Sequence, residues 1–139
     1  MTDCPLCASS GDSLWRDDFC SVISVDDPDY PGFCRVILNR HIKEMTDLPS
    51  AERQRLMTVV FAVESAVREA LKPDKINLAS LGNLTPHLHW HVIPRFADDR
   101  CFPDAVWAPA RRPGAQRSTT DLRPRLVLAL ARALGPSLE

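Results

Sequence analysis

The sequence predicts a single α+β domain, with an antiparallel meander sheet of about five strands, one long helix packed on the sheet and a second helix at the C-terminus. Three observations predict this fold class. Short β-branched runs bounded by turn residues indicate strands. One stretch of about six turns has an apolar period of 3.6 residues, as in a helix packed by one side. The strands occur in pairs on either side of that helix, which favours α+β over a doubly wound parallel sheet.

The first part of the sheet is predicted from two strand-forming regions. Residues Trp15 to Val25 indicate a strand or hairpin, with Arg16-Asp17-Asp18 as its turn. The loop 26–32 follows and is rich in Asp, Pro and Gly, the residues that favour turns. A further strand is then expected from Phe33 to Leu38, and Asn39-Arg40-His41 closes it.

The long helix is predicted from about Pro49 to Lys72. Pro49 suits the first helical turn, and Lys72-Pro73 ends the helix because proline cannot continue it. Charged residues occupy the opposite face, so the helix is expected to pack by one side only. Its apolar stripe consists of Leu56, Val59, Val60, Val63, Val67, Ala70 and Leu71.

The second part of the sheet follows the helix. Residues Lys75 to Leu81 are predicted to form a strand, and Gly82-Asn83 turns into the next strand, which Pro94 terminates. Residues 97–118 show no periodicity and indicate a long connection. A final helix, from about Asp121 to Leu134, carries its leucines on one stripe.

The domain organisation predicted from these elements is one domain over residues 1–139. Its core spans about 4–96, and 97–139 form a C-terminal extension that contains the second helix. Residues 1–12 are expected to be short and turn-like, with Cys4-Pro5-Leu6-Cys7 as their main feature.

Composition narrows the class of protein. The chain is 45% apolar and 25% charged, with a formal net charge of −1, as in an ordinary globular protein. A basic excess that would coat a nucleic-acid polymer is absent, and no stretch has the apolar length of a membrane span. The N-terminus carries no apolar signal segment, so a cytoplasmic location is expected. The five cysteines are an odd number, which fits reduced thiols better than a disulfide scaffold.

Residues 83–95 hold three of the four histidines of the chain. On an extended strand, alternate side chains share a face, so three imidazoles are expected on one face and apolar residues on the other. Titratable clusters concentrate at functional sites, and imidazole can act as nucleophile, general acid or base, or metal ligand. The histidine face consists of His87, His89 and His91, and the apolar face of Leu88, Trp90 and Val92.

One hypothesis for this cluster is nucleophilic attack on phosphorus. His89 occupies the centre of the cluster, where same-face neighbours can position phosphate oxygens and protonate a leaving group. Asn83 and Thr85 lie just upstream as possible donors. The loop carboxylates of residues 26–29 either accept from ribose hydroxyl groups or form a solvated turn, and Arg95 either pairs with phosphate or is a surface charge.

A second hypothesis is metal binding. Cys4 and Cys7 have the Cys-x-x-Cys spacing of a zinc clamp, but a closed tetrahedral site needs two more ligands. His41 together with one histidine of the cluster would complete a Cys2His2 set. The alternative is a pair of reduced thiols in an N-terminal tail.

The segment His87-Leu88-His89-Trp90-His91-Val92-Ile93 resembles the signature of the histidine triad (HIT) family, His-φ-His-φ-His-φ-φ with φ apolar. Pro31-Gly32-Phe33 and the Asn39-Arg40-His41 ending support the resemblance, which covers about residues 4–96. It implies a HIT-like fold. It also implies hydrolase or transferase activity on a nucleoside phosphoramidate or a dinucleoside polyphosphate, through a nucleotidyl-histidine intermediate.

The resemblance also implies roles for individual residues. His89 is the expected nucleophile, and His91 is expected to position phosphate or transfer a proton. The substrate contacts that it implies are Asp26 or Asp27 for the ribose, Asn77 and Asn83 near the reacting group, and Thr85 for phosphate in place of Leu84, which departs from the usual Ser or Thr. Because Leu84 removes a phosphate ligand, a nucleotide-binding sensor with little turnover is the alternative function.

Some branches of the family carry a structural zinc ion. Carried onto this sequence, the ligands would be Cys4, Cys7, His41 and His87, which leaves His89 and His91 for the chemistry. The resemblance further implies a purine nucleotide substrate, no organic cofactor, and a homodimer that buries the long helix and a sheet edge.

Overall fold

The computed structural model describes residues 4–7 and 12–138. Five strands form one sheet in which every pairing is antiparallel, and two helices cover one face of it, which confirms the α+β fold class. The elements are β1 (Ser13–Arg16), β2 (Cys20–Ser24), β3 (Cys34–Leu38), α1 (Ser50–Leu71), β4 (Lys75–Ala79), β5 (His89–Arg95) and α2 (Leu122–Leu134), with a short 3-10 turn at Met45–Asp47.

The strand order across the sheet is β1-β2-β3-β5-β4. The first three strands form the expected meander. The chain then crosses the sheet through α1, enters it again at the β4 edge, and returns as β5 between β4 and β3. The meander prediction therefore holds for β1 to β3, while the histidine strand lies inside the sheet with a neighbour on each side.

Helix α1 matches its prediction closely. It begins at Ser50 after Pro49 and ends at Leu71, where Lys72 adopts a left-handed conformation with φ of 51°. Its buried residues pack against the strands and α2 in one core. Ala66 joins the predicted stripe, Ala70 and Leu71 are half-buried, and the fully buried set is Leu56, Val59, Val60, Val63, Ala66 and Val67.

The prediction that Pro94 terminates the histidine strand is wrong. β5 continues to Arg95, and Pro94 pairs with Ile76 of β4. The Leu38 N–H donates to the Leu88 carbonyl, so the backbone N–H and C=O groups of the even-numbered residues in this strand point toward β3. The Pro94 nitrogen therefore also points to the β3 side. The β3 ladder ends at the Cys34–Val92 pair, so proline at position 94 removes no ladder hydrogen bond.

The remaining segments differ from their predictions only in detail. β4 ends at Ala79 and not at Leu81. α2 begins at Leu122, with Leu122, Leu126 and Leu130 buried in the core. Residues 4–7 form a turn, as expected, and the rest of the turn-like segment predicted over 1–12 lies outside the described residues, apart from residue 12. Across the described part of the chain, neither helix has the length and apolarity needed to cross a bilayer.

Candidate functional site

The candidate catalytic histidines lie on the sheet face that the helices leave uncovered. Val36 and Val92 belong to the core beneath α1 and α2, so their neighbours in sequence point to the opposite face. There His89 lies opposite Ile37 of β3, and the rings of His89 and His91 are 5.0 Å apart between centroids. β5 begins at His89, so the predicted alternation of side chains applies to His89 and His91 but not to His87.

His89 is fixed by a hydrogen bond to the backbone. Its Nδ1 lies 2.6 Å from the carbonyl oxygen of His87, and a carbonyl can only accept, so Nδ1 carries the proton. The carbonyl of His89 accepts from Ser80 Oγ at 2.7 Å, which holds the backbone at the start of the strand. In the neutral ring the Nε2 atom of His89 therefore keeps a lone pair.

His91 is buried beside it among aromatic rings. Phe33 and Trp107 meet its ring edge-to-face, with centroids 5.7 and 5.1 Å away, and its Nδ1 has no hydrogen-bond partner among the described residues. Burial, together with the nearby His89 and Arg35 side chains, lowers the pKa of His91 to about 4. His91 is consequently neutral near pH 7.

Arg35 is a residue of this face that sequence reasoning missed. It lies on β3 directly opposite His91, and its Nε atom is buried without a hydrogen-bond partner in residues 4–7 and 12–138. Burial lowers the pKa of its guanidinium. The available signal was one charged residue inside an otherwise apolar run from Phe33 to Leu38.

Arg95 is buried, so its interpretation from the sequence as a surface charge is wrong, while its interpretation as a phosphate ligand stays a prediction. Its side chain is 2% exposed and donates to the Asp99 carboxylate through Nε at 2.9 Å and Nη2 at 3.1 Å. It also donates to Asn77 Oδ1 at 2.8 Å and to the Asp104 carbonyl at 2.7 Å. These bonds tie the connection after β5 to β4.

The connection 97–118 reaches the histidine site through this network. The Tyr30 hydroxyl donates to Asp99, and Arg112 donates to the Asp99 and Phe102 carbonyls at 2.6 and 2.8 Å. The folded connection places Trp107 against His91 while leaving its side chain half exposed. Trp107 therefore borders the site instead of packing in the core beneath the helices.

The predicted substrate contacts lie in three places. Asn77 is on β4 opposite Ile93, on the histidine face, with its oxygen occupied by Arg95. Asp26 accepts from Ser24, and Asp27 accepts from the backbone N–H of residue 29.

Asp26 and Asp27 line a groove beside α2, and none of their hydrogen bonds involves the histidines. Asn83 and Thr85 lie in the exposed connection between β4 and β5, where the Thr85 carbonyl accepts from the His87 N–H at 2.8 Å. The structure thus brings Asn77 to the histidine face, and no hydrogen bond among the described residues links the other four to His89 or His91.

The second feature is a cluster of two cysteines and two histidines. Cys4, Cys7, His41 and His87 each offer one ligand atom, and these atoms all lie within 4.8 Å of one another. His87 Nδ1 is at the centre, 3.4 Å from Cys4 Sγ, 3.3 Å from Cys7 Sγ and 3.2 Å from His41 Nδ1. Around one tetrahedral zinc ion, ligand atoms lie roughly 3.3 to 3.8 Å apart. The donors and their spacing therefore fit one metal ion.

The other ring nitrogen of His87 is bound to the backbone. Nε2 lies 2.6 Å from the Leu38 carbonyl oxygen and must donate to it, so Nδ1 keeps its lone pair toward the cysteines. A metal-binding histidine commonly donates its other N–H to a carbonyl in this way. The ring of His87 thus belongs to the cluster with Cys4, Cys7 and His41.

Comparisons with known proteins give the family. The family model described as HIT domain matches residues 9–98. AP-4-A phosphorylase from Mycobacterium tuberculosis (strain CDC 1551 / Oshkosh) is 30% identical over 81 residues, which are 54% of this chain and 42% of that protein. The asymmetrical bis(5'-nucleosyl)-tetraphosphatase from Schizosaccharomyces pombe is 29% identical over 86 residues, 58% of this chain and 47% of that protein. The chain thus spans less than half the length of these curated relatives.

A comparison with solved structures gives the same family. A histidine triad protein from Bradyrhizobium japonicum is 30% identical and superposes with a TM-score of 0.71, over 88% of this chain and 90% of that one. The antiparallel sheet with two helices, the signature that starts at His87 and the family match over 9–98 together show that this chain belongs to the HIT domain family.

Proposed function

We propose that the chain is a nucleotidyl hydrolase or transferase that attacks the α-phosphate of a nucleoside phosphoramidate or a dinucleoside polyphosphate. One observation carries the proposal: the hydrogen bond from His89 Nδ1 to the His87 carbonyl leaves the Nε2 lone pair free on the open face of the sheet. A neutral imidazole held in this tautomer is ready to act as a nucleophile. The alternative function, a sensor with little turnover, would not need a nucleophilic lone pair on His89.

The reaction divides into two displacements. His89 Nε2 forms a bond to the α-phosphorus while the bond from phosphorus to the leaving oxygen or nitrogen breaks, and the leaving group takes the electron pair. Water, or another acceptor in a transferase, then attacks the same phosphorus, gives up a proton, and releases His89. Splitting one difficult displacement into two easier ones is the advantage of the covalent intermediate. His91, next on the same face, is assigned to hold phosphate oxygens or to pass a proton.

The substrate is proposed to be a purine nucleotide. The two curated relatives are named as an AP-4-A phosphorylase and a bis(5'-nucleosyl)-tetraphosphatase, and these names support a dinucleoside polyphosphate as one substrate. The proposed contacts to it are those predicted from the sequence: Asp26 or Asp27 for the ribose, with Asn77, Asn83 and Thr85 nearer the phosphates.

A structural zinc ion is the proposed resident metal. Two thiolates and two imidazoles are a donor set that zinc prefers, and the His87 tautomer already presents Nδ1 to the cysteines. Cys4, Cys7, His41 and His87 would hold the ion, which would link the N-terminal turn to the start of β5. It would supply binding energy to the folded state and no catalytic group.

A homodimer is the proposed assembly. β4 pairs only with β5, so its other edge is open for pairing among the described residues, and Phe61 of α1 is exposed. A second copy that covers this edge and helix would bury both features. Light scattering on the purified protein should give twice the mass of one chain, and a mass of one chain would contradict the assembly.

The experiment that tests the function is detection of the covalent intermediate. The protein is incubated with adenosine 5'-phosphoramidate or diadenosine tetraphosphate, quenched, and examined by mass spectrometry. We expect one adenylyl group on His89. His89→Ala should lose both the adduct and turnover, because it removes the nitrogen that attacks phosphorus.

His91→Ala provides the comparison. It should slow turnover while leaving the adduct on His89, since His91 assists and does not attack. Turnover that persists in His89→Ala would refute the nucleophile assignment. Tight nucleotide binding by the wild-type protein, without hydrolysis of either compound, would favour the sensor.

A further inference from the structure

Arg35 occupies a position from which it can reach a ligand bound at the histidines. It is paired with His91 across β3 and β5. Odd-numbered residues of β5 point their backbone groups toward β4, so Arg35 and His91 form a non-hydrogen-bonded pair, in which opposite side chains approach most closely. The nucleophile His89 is the diagonal neighbour of Arg35, at about 7 to 8 Å between Cα atoms.

The charge of Arg35 has no protein counterpart in the described part of the chain. Among the described residues, no carboxylate forms an ion pair with it, although eight other arginines do form such pairs, and its buried Nε has no acceptor. Leaving a buried donor unpaired costs free energy, and more so for a charged group. His91 Nδ1, also buried and unpartnered, lies on the same face. Two unsatisfied polar groups side by side indicate a polar ligand, and the positive one indicates an anion.

We propose that Arg35 binds the phosphate chain on the leaving-group side of the reacting phosphorus. This inference rests on the proposed function, because it places the α-phosphate at His89. A group held by Arg35 lies beyond the α-phosphate, given the diagonal separation from His89. The nucleoside itself carries no charge, so the phosphate chain of the leaving group is the anionic part of the substrate in that direction. A guanidinium matches phosphate oxygens with two parallel hydrogen bonds.

An arginine at this position favours one of the two proposed leaving groups, which are an amine and a phosphate chain. An amine leaves phosphorus only with an added proton, and burial, His89 and Arg35 together lower the pKa of His91 to about 4, which disfavours its protonated form. A phosphate chain can leave as an anion, and the guanidinium neutralises the charge that develops on it. Arg35 therefore favours dinucleoside polyphosphates over phosphoramidates.

Calorimetric titrations with adenosine 5'-diphosphate and adenosine 5'-monophosphate test this placement. The wild-type protein should bind the diphosphate at least about tenfold more tightly, the value of one charge-assisted hydrogen bond. Arg35→Met should remove that advantage and change monophosphate binding by less than about threefold. Arg68→Met, which removes an exposed arginine of α1, is the matched control and should change neither affinity.

Three other outcomes of these titrations would contradict the placement of Arg35 or the proposed function. Monophosphate binding that perturbs the His91 ring resonances, with no gain for the diphosphate, would overturn the inference and leave the proposed function standing. Binding of neither nucleotide would refute the proposed function and this inference with it. Equal weakening of both nucleotides in Arg35→Met would mean that Arg35 serves the α-phosphate or the fold, and would also overturn it.

Turnover and a second variant complete the test. With diadenosine tetraphosphate, kcat/KM should fall about ten- to a hundredfold in Arg35→Met, while kcat/KM for adenosine 5'-phosphoramidate should not fall, because that leaving group carries no phosphate chain. Arg35→Lys keeps the charge but loses the planar fork, so it should give an intermediate diphosphate preference. If Arg35→Met does not fold, the diphosphate preference of the wild type and of Arg35→Lys decides: no preference in the wild type, or an unchanged one in the lysine variant, overturns the inference.

Discussion

Asp99 is the residue on which the connection after β5 depends. Its carboxylate accepts from the guanidinium of Arg95, from the Tyr30 hydroxyl, and from backbone N–H groups of residues 96, 101 and 102. Burial alone would raise the pKa of Asp99, but these hydrogen bonds outweigh burial and lower it to about 2. The ionised form is therefore the one that the folded chain stabilises.

We predict that this carboxylate makes stability depend on pH. The folded-state pKa is about 2 and the ordinary value is 3.8, so the contribution of ionisation is fully present above about pH 4 and disappears as the pH falls toward 2. The difference corresponds to about 2 kcal/mol. The difference in the free energy of urea unfolding between the wild type and Asp99→Asn should be about 2 kcal/mol smaller at pH 2 than at pH 6. The other titrating groups are the same in both proteins, so their contributions cancel.

A surface carboxylate supplies the control for this measurement. Asp12 pairs with Arg123 but is almost fully exposed, so Asp12→Asn should change stability by less than about 0.5 kcal/mol at either pH. If the difference in the free energy of unfolding between the wild type and Asp99→Asn stays constant from pH 6 to pH 2, that result would contradict the role assigned to Asp99.

Among the secondary-structure elements, those with a periodic pattern were predictable and those held by single side chains were not. α1 and α2 follow their apolar periods to within one or two residues, since burial of one face determines both. The fold of residues 97–118 depends on the buried Arg95–Asp99 pair, which leaves no periodic signal.

The same limit applies to the site. The period-two histidines were visible in the sequence, and the structure gathers the four proposed metal ligands as expected. The role of Arg35 was not predictable because it depends on its cross-strand neighbour His91, 56 residues further along the chain. The pairing of β3 with β5 cannot be seen in either segment alone.

The end of α1 provides a prediction for an element. Lys72 closes the helix in the left-handed region, with φ of 51°, where a side chain is disfavoured and glycine is not. Lys72→Gly should therefore raise the free energy of unfolding by up to about 1 kcal/mol, measured by urea denaturation. Lys72→Ala removes the same charge but keeps a Cβ atom, and it should bring no such gain. A gain of equal size in both variants would show that charge, and not backbone conformation, limits the wild type.

At the scale of the whole molecule, His87 connects the two sites. Its ring faces Cys4, Cys7 and His41, while its backbone carbonyl accepts from the Nδ1 of His89, the proposed nucleophile. The cluster also joins the N-terminal turn to the segment after β3, because His41 follows that strand. Three distant parts of the chain thus meet at the residue that orients His89.

Metal content and stability test this arrangement. The purified protein, without a histidine tag, should contain about one zinc ion per chain. Cys7→Ser should lose it because the thiolate is one of the four proposed ligands, and His89→Ala should retain it because His89 is not part of the cluster. Zinc at a hundred times its dissociation constant should stabilise the fold by roughly 2.7 kcal/mol, so a chelator should lower the melting temperature of the wild type but not that of Cys7→Ser. Loss of zinc in His89→Ala, or its retention in Cys7→Ser, would contradict the separation of His87 from the two proposed catalytic histidines.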